Sequence, residues 1–464
     1  MKQMSYRSKL ATFSGLVLAG TIGFAESTRF SDFTPLAASA GPTADESMPI
    51  TFGNANIQQR SVVDRLTQLG EGEPNSGNFD MNTLNETGSS RGRYLFTVFE
   101  TGQAGVLRYD RVTGQADTIW NSLVAAPDIK SQVAFDASYW TSWKTFVTAE
   151  ESWCTNAAGC TTSPYGRLYE LKNPTDAPGI LEPLTATSND GADMVHQNVI
   201  PRTSHEGIQW DRAGNMYFID ELNGGCLFKY TTAADYAAVL KGQADYFAAG
   251  TTYALRVGDG ATPNATGAYA WVPITDATGA GLPGALTITD PNGVVSVDAR
   301  NTTDLPAFKC TDYQRPEDLQ VIRRRSQDFM FMATTTTNEV YMLNLKTNTI
   351  SVFANRSTTD LATGLPVDIG LTSPDNLAVD KDNNIYIIED RPGGTDNDIW
   401  FAKDINGDGD LNDPGEGLGR WATNGTIGSE FTGLYFDKRN SRRAWVNIQH
   451  PGSTNDRIIE ITLP

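Results

Sequence analysis

Histidine is scarce in this chain, three in 464 residues, which leaves too few imidazoles for a multi-histidine zinc centre. There is no GxSxG elbow, no phosphate-binding P-loop and no dinucleotide fingerprint in a strand-to-helix context, which argues against serine-type hydrolysis and nucleotide-driven chemistry. Basic residues are outnumbered, 36 Lys and Arg against 55 Asp and Glu, for a formal net charge of -19. That balance repels nucleic acid and anionic membrane surfaces and concentrates cations. Hard cations held by oxygen atoms remain open.

Long apolar runs are also missing beyond one at the N-terminus. Lys2, Arg7 and Lys9 precede an apolar stretch from Leu10 to Ala25. It is too short and too terminal for a membrane span and reads as a signal peptide over residues 1–25. No twin arginine precedes it, so general secretion to a periplasmic or extracellular location is expected. Export makes disulfides feasible for the four cysteines, with Cys154–Cys160 and Cys226–Cys310 the expected pairs.

What is present is repetition. Six times a short apolar strand ends in an acid or amide, turns, and is followed by a second apolar strand: LFTVFETGQAGVLRYD, TFVTAEESW with YGRLYELK, MYFIDELNGGCLFKY, FMFMATTTTNEVYML, IYIIEDRPGGTDNDIWFA and AWVNIQHPGSTNDRIIEI. The turns carry Glu100, Glu150, Asp220 with Glu221, Thr334, Glu389 with Asp390, and Asn447. Such spacing predicts an all-β, six-bladed β-propeller over residues 91–464, with seven blades as the alternative count. Residues 26–90 form an extension with helical spacing over 57–69, and SGNFDMNTL offers a ring-closing strand. The 113 residues between Glu221 and Thr334 exceed the roughly 40 to 50 of one blade. An insertion over 231–312, helical from Thr231 to Gly242, accounts for the excess.

Four units are preceded by a further strand, HEGIQWD, PEDLQVI, PDNLAVD and FTGLYFD. Aligning them places Glu206, Glu317, Asp375 and Thr432 at one equivalent position on the innermost strands, facing a shared channel. Carboxylates gathered there raise one another's pKa unless cations neutralise them. Glu150, Glu206, Glu317, Asp375, Asn376 and Glu389 are therefore the candidate metal ligands, and His205 and Arg315 stand beside them as candidate catalytic groups. For His205 and His450 a hydrogen-bonded structural role is the competing reading, and for Arg315 a salt bridge to a neighbouring acid. Separately, DINGDGDLNDPGEG alternates Asp404, Asn406, Asp408 and Asp410 around a glycine turn, a pattern expected to hold a structural calcium ion.

The motifs SHEG, YQRPEDLQV, TSPDNLAVD and SEFTGLYFDKRNSRRAWVNIQHPG together resemble the PhoX-type alkaline phosphatases. The resemblance implies a secreted or periplasmic six-bladed propeller whose channel holds iron and calcium and hydrolyses phosphate monoesters. It carries over metal-binding roles to Glu150, Glu206 and Glu317. The family's cysteine iron ligand, just before the first of two paired glutamates, is replaced here by Ala149. Calcium is accordingly the expected cofactor, with iron left open, a small phosphate ester the expected substrate and a monomer the expected state. A calcium-dependent lactonase built on Asp375 and Asn376, and a non-catalytic calcium-binding surface protein, are the alternatives.

Overall fold

The computed structural model describes residues 29–122, 133–152, 163–176, 194–324, 326–391 and 397–464. The chain is an all-β, propeller-like protein in which antiparallel strands fall into successive sets of four. The first set is Phe79–Leu84, Tyr94–Phe99, Gly105–Asp110 and Ala116–Asn121; the second is Phe135–Trp140, Phe146–Glu150, Leu168–Leu171 and Met194–His196. Ile208–Trp210, Met216–Ile219, Leu227–Thr232 and Gly250–Val257 form the third, and Pro316–Arg324, Gln327–Thr334, Glu339–Asn344 and Thr349–Ala354 the fourth. The fifth is Pro374–Val379, Ile385–Glu389, Asn397–Lys403 and Gly417–Asn424, with Ile50–Phe52 added at its edge. The sixth joins Glu430–Phe436, Arg443–Gln449 and Arg457–Thr462 to Gln58–Asp64 from the far end of the chain. The first strands of the sets touch one another in cyclic order, and Glu430–Phe436 closes onto Phe79–Leu84.

The second strand of each set has an apolar core because both its faces are covered. LFTVF, MYFI and IYII are buried throughout, as a strand sandwiched between two neighbouring sheets must be. Six apolar clusters result, each shared by two neighbouring sets, such as Ile385, Ile387 and Trp400 of the fifth with Ile322, Phe331 and Val340 of the fourth.

Three sequence expectations change. The helix over 57–69 is a strand, Gln58–Asp64, followed by the helix Arg65–Glu71, because pairing with Arg457–Thr462 outweighs local propensity. The segment 231–312 is only partly an insertion, since Leu227–Thr232 and Gly250–Val257 are the third and fourth strands of the third set. Its expected helix shrinks to Tyr236–Val239, as Thr231 and Thr232 are paired to Thr251 and Gly250. The true extra segment begins after Val257. There Gly267–Pro273 bridges the third and fourth sets, and a Cys226–Cys310 disulfide ties the segment's end to the ring. Cys154, Cys160 and residues 1–25 lie outside the described residues.

Close approach of the first strands depends on glycine at Gly207 and Gly433. A Cβ on Gly207 would overlap the Leu319 amide nitrogen and lie 2.7 Å from Asp318 Cα, and one on Gly433 would lie 2.6 Å from Asp80 O. These neighbours are backbone atoms and cannot swing away. Gly207→Ala is therefore expected to destabilise the protein by about 1–3 kcal/mol in urea unfolding, and a change below about 0.5 kcal/mol would contradict this packing.

Candidate functional site

Four first strands carry an acid at their second position, Asp80, Asp136, Glu317 and Asp375, with Glu206 at the equivalent point just before Ile208 and Thr432 third in its strand. In four sets the ladder is interrupted there by a bulge, between Phe79 and Asn82, Phe135 and Ser138, Pro316 and Leu319, and Pro374 and Leu377, and in the sixth it is interrupted just after Thr432, before Tyr435. A bulge re-aims the side chain it contains. Ahead of it, Asn78, Ala134, Arg315 and Ser373 all adopt left-handed backbone, with φ between 40° and 52°. The carbonyl of each accepts a hydrogen bond from the amide of a residue at or just past the end of the paired second strand: Glu100, Glu151, Thr335 and Asp390, and Ser204 accepts from Glu221 in the same way. Left-handed non-glycine backbone costs about 1–3 kcal/mol per residue and persists where surrounding structure enforces it. Its recurrence in four sets fixes two tiers of side chains around one axis.

The tiers enclose a cavity of about 190 Å³ lined by Asp80, Glu100, Asp136, Glu151, Glu206, Glu221, Glu317, Asp375, Asp390 and Glu430. Arg315, Thr432, Gln449 and His450 complete its wall. Ten carboxylates thus face two basic side chains. Glu206, Glu317 and Asp375 each bring an oxygen within 4.8 Å of the others. Arg315 donates through Nη2 to Glu221 Oε1 at 2.5 Å and lies 3.2 Å from Glu317 Oε1 through Nε. Thr335 Oγ1 donates to Glu317, and Gln449 Nε2 to Glu100 at 2.7 Å.

Burial, then the neighbouring carboxylates, pushes Asp80 up to about 8. The same two causes in that order hold Glu100, Asp136, Glu206 and Asp375 well above the usual carboxylate range. Six carboxylate oxygens of the lining are buried without a hydrogen-bond partner among the described residues: Asp80 Oδ1, Asp136 Oδ1, Glu206 Oε2, Glu317 Oε2, Asp390 Oδ1 and Glu430 Oε2. Unpartnered buried anions are costly, and a set of converging carboxylate oxygens fits a hard cation.

Of the residues singled out from sequence, the structure brings Glu206, Glu317, Asp375 and Arg315 together and places others elsewhere. Glu150 is turned away from the cavity into a fully buried pair with Arg167, Oε1 to Nη2 at 2.6 Å. Glu389 points into its own set, accepting from Trp400 Nε1 at 3.1 Å and from the Thr372 amide at 2.8 Å. The reason is register: Glu150 and Glu389 are the last ladder-paired residues, opposite Phe135 and Pro374. The next residue on each strand, Glu151 or Asp390, reaches the axis. Asn376 sits behind the tier, its Oδ1 accepting from the Gly433 amide at 2.8 Å, which removes it from a lactonase-like ligand set.

His205 is buried against Phe218, and burial pushes its imidazole down to about 3; the histidine on the cavity wall is His450. Asp80 and Asp136 are not among the candidates drawn from the sequence, although FDMNTL and FDASYW carry the same strand-start pattern as PEDLQV. In the Asp404 loop, Asp404, Asp408 and Glu416 cluster within 4.8 Å. Asp404 is held by Arg324 and by the Gly407 and Gly409 amides, and Asn406 and Asp410 brace the turn.

Comparison with known proteins places this geometry in context. A family model described as "Alkaline phosphatase PhoX" matches residues 137–452. Among solved structures, the Pseudomonas fluorescens PhoX complex with vanadate, a transition-state analogue, is 14% identical, with a TM-score of 0.63 over 93% of this chain and 98% of that one. A luciferin-regenerating enzyme is 9% identical, TM-score 0.40, over 88% and 95% of the two chains. No curated protein matches the chain.

An acid whose folded pKa exceeds its unfolded value binds its proton more tightly when folded, so its contribution is lost as pH rises. Chelator-stripped protein is thus expected to lose stability between about pH 4 and about pH 8, the span of the Asp80 shift. Asp80→Asn should reduce that loss, and added calcium should reverse it at the upper end. A urea midpoint that is flat or rising over this range in stripped protein would contradict the clustering.

Proposed function

The chain belongs to the alkaline phosphatase PhoX family, and from that premise we propose that it is a metal-dependent phosphomonoesterase acting outside the cytoplasm. Counting each four-stranded set as a blade makes it a six-bladed propeller. The observation that carries the reading is the axial cavity, where carboxylates from successive sets converge with buried oxygens lacking partners.

Glu206, Glu317 and Asp375, with Asp80, Asp136 and Glu151 across the cavity, are the residues that would hold the cations. The donors are carboxylate oxygens with no sulfur among the described lining residues, which supports calcium. Ala149, at the family's cysteine position, is packed in the apolar cluster between the second and third sets, so no thiolate is assigned to iron. When bound, such cations supply Lewis-acid polarisation of a phosphoryl group and neutralise the carboxylates.

The chain's own residues do the rest. The planar Arg315 guanidinium, fixed between Glu221 and Glu317, has the donor geometry for phosphoryl oxygens. Thr335 and Gln449 hold Glu317 and Glu100 in place, so the tiers are pre-organised. The N-terminal segment and the Cys226–Cys310 disulfide support export.

The test is release of 4-nitrophenol from its phosphate ester by calcium-loaded protein. Glu317→Gln is expected to lower kcat/KM by about 10²-fold or more, and a chelator to abolish turnover until calcium is restored. Equal turnover by the two proteins, or turnover indifferent to chelation, would remove the assignment.

A further inference from the structure

Breaking a phosphate ester leaves negative charge on the departing oxygen, and an alkyl leaving group needs a proton at that moment. Arg315 supplies no such proton, since a guanidinium does not release one in proteins, and carboxylates that hold cations are ionised. Among the described lining residues a single imidazole is available. We propose that His450, oriented by Glu430, is the general acid that protonates the leaving oxygen; the proposal rests on the phosphomonoesterase reading above.

Placement supports the role. A cavity of about 190 Å³ accommodates a phosphoryl group and little more, so the ester oxygen and its organic group lie toward the mouth. His450 is on the wall there with its side chain 39% exposed, its Nε2 3.3 Å from Glu430 Oε1. No hydrogen bond engages Nδ1 among the described residues, so Glu430 fixes the ring and leaves Nδ1 open to a substrate oxygen. This is the division of labour in carboxylate–histidine catalytic pairs, where the acid orients the ring and stabilises the imidazolium.

The backbone is built to hold that pose. His450 adopts a left-handed φ of 57°, and its amide donates to Asp456 Oδ1 at 2.9 Å. The other Asp456 oxygen accepts at 2.8 Å from the amide of Asn78, the left-handed residue two before Asp80. The turn bearing His450 is thereby tied to the tier it serves.

In the step, a water oxygen bonds to phosphorus as the ester P–O bond breaks. The bond's electron pair passes to the ester oxygen, which takes the Nδ1 proton and leaves as the alcohol. The neutral imidazole then accepts the proton released by the attacking water. Ester and water become alcohol and phosphate, and the imidazolium is restored.

Leaving-group dependence tests this. His450→Asn removes the imidazole while keeping a residue that tolerates left-handed backbone. Measured on calcium-loaded protein, the variant is expected to lose about 10²-fold or more in kcat on ethyl phosphate. On 2,4-dinitrophenyl phosphate, whose leaving oxygen needs no proton, its loss should stay within about threefold. Glu430→Gln, altering a positioning residue, should shift the two substrates in the same unequal way by a smaller factor. Equal losses on both esters, or none on either, overturn the proposal and leave the phosphatase reading standing. Hydrolysis of neither ester by the unaltered protein overturns both.

Discussion

Mutual repulsion among buried carboxylates is the constraint around which the rest of this structure is arranged. Acids drawn from successive sets would not be brought within a few ångströms of one another by packing, since each pays for desolvation and then for its neighbours' charge. The fold nevertheless spends left-handed backbone at Asn78, Ala134, Arg315 and Ser373, and bulges in four first strands, to aim them inward. Cost accepted repeatedly, in the same place, in independent sets is the mark of a functional site. A ring supplies the rigidity: each first strand is braced by two neighbours, and each apolar cluster locks one set against the next.

That architecture separates two roles that look alike on paper. In the pairs Glu150 and Glu151, and Glu389 and Asp390, one acid completes its own set and the next enters the axis. Glu150 neutralises Arg167 where neither is exposed, and Arg167 in turn lies 3.6 Å from Asp290 of the extra segment. The first member of a pair is therefore structural, and the second belongs to the cavity.

Much of this was legible in the chain. The six strand–turn–strand units mark the second and third strands of every set, and aligned HEG, PED and PDN starts pick out Glu206, Glu317 and Asp375, which converge. Legibility ended where one residue decides the outcome. Alternation along a strand favours Glu150 over Glu151 unless the ladder is known to stop at Glu150, and only pairing with Phe135 shows that it does. Asp80 and Asp136 carry the same signal as Glu317, but their sets lack the proline or glycine that made the other starts conspicuous. His205 and His450 each sit in a short polar motif, and sequence offers no reason to prefer either. Burial against Phe218 takes the first out of play, and a turn tied to Asp456 puts the second at the cavity mouth. The third set's outer strand, Gly250–Val257, was hidden by a composition rich in alanine, glycine and threonine.

Crystals of the protein soaked in a lanthanide, a hard calcium substitute visible by anomalous scattering, test the convergence of these acids most directly. The account predicts anomalous peaks on the ring axis with oxygens of Glu206, Glu317 and Asp375 at about 2.3–2.6 Å. Peaks confined to the Asp404 loop or the outer surface, with the axial cavity bare, would contradict it.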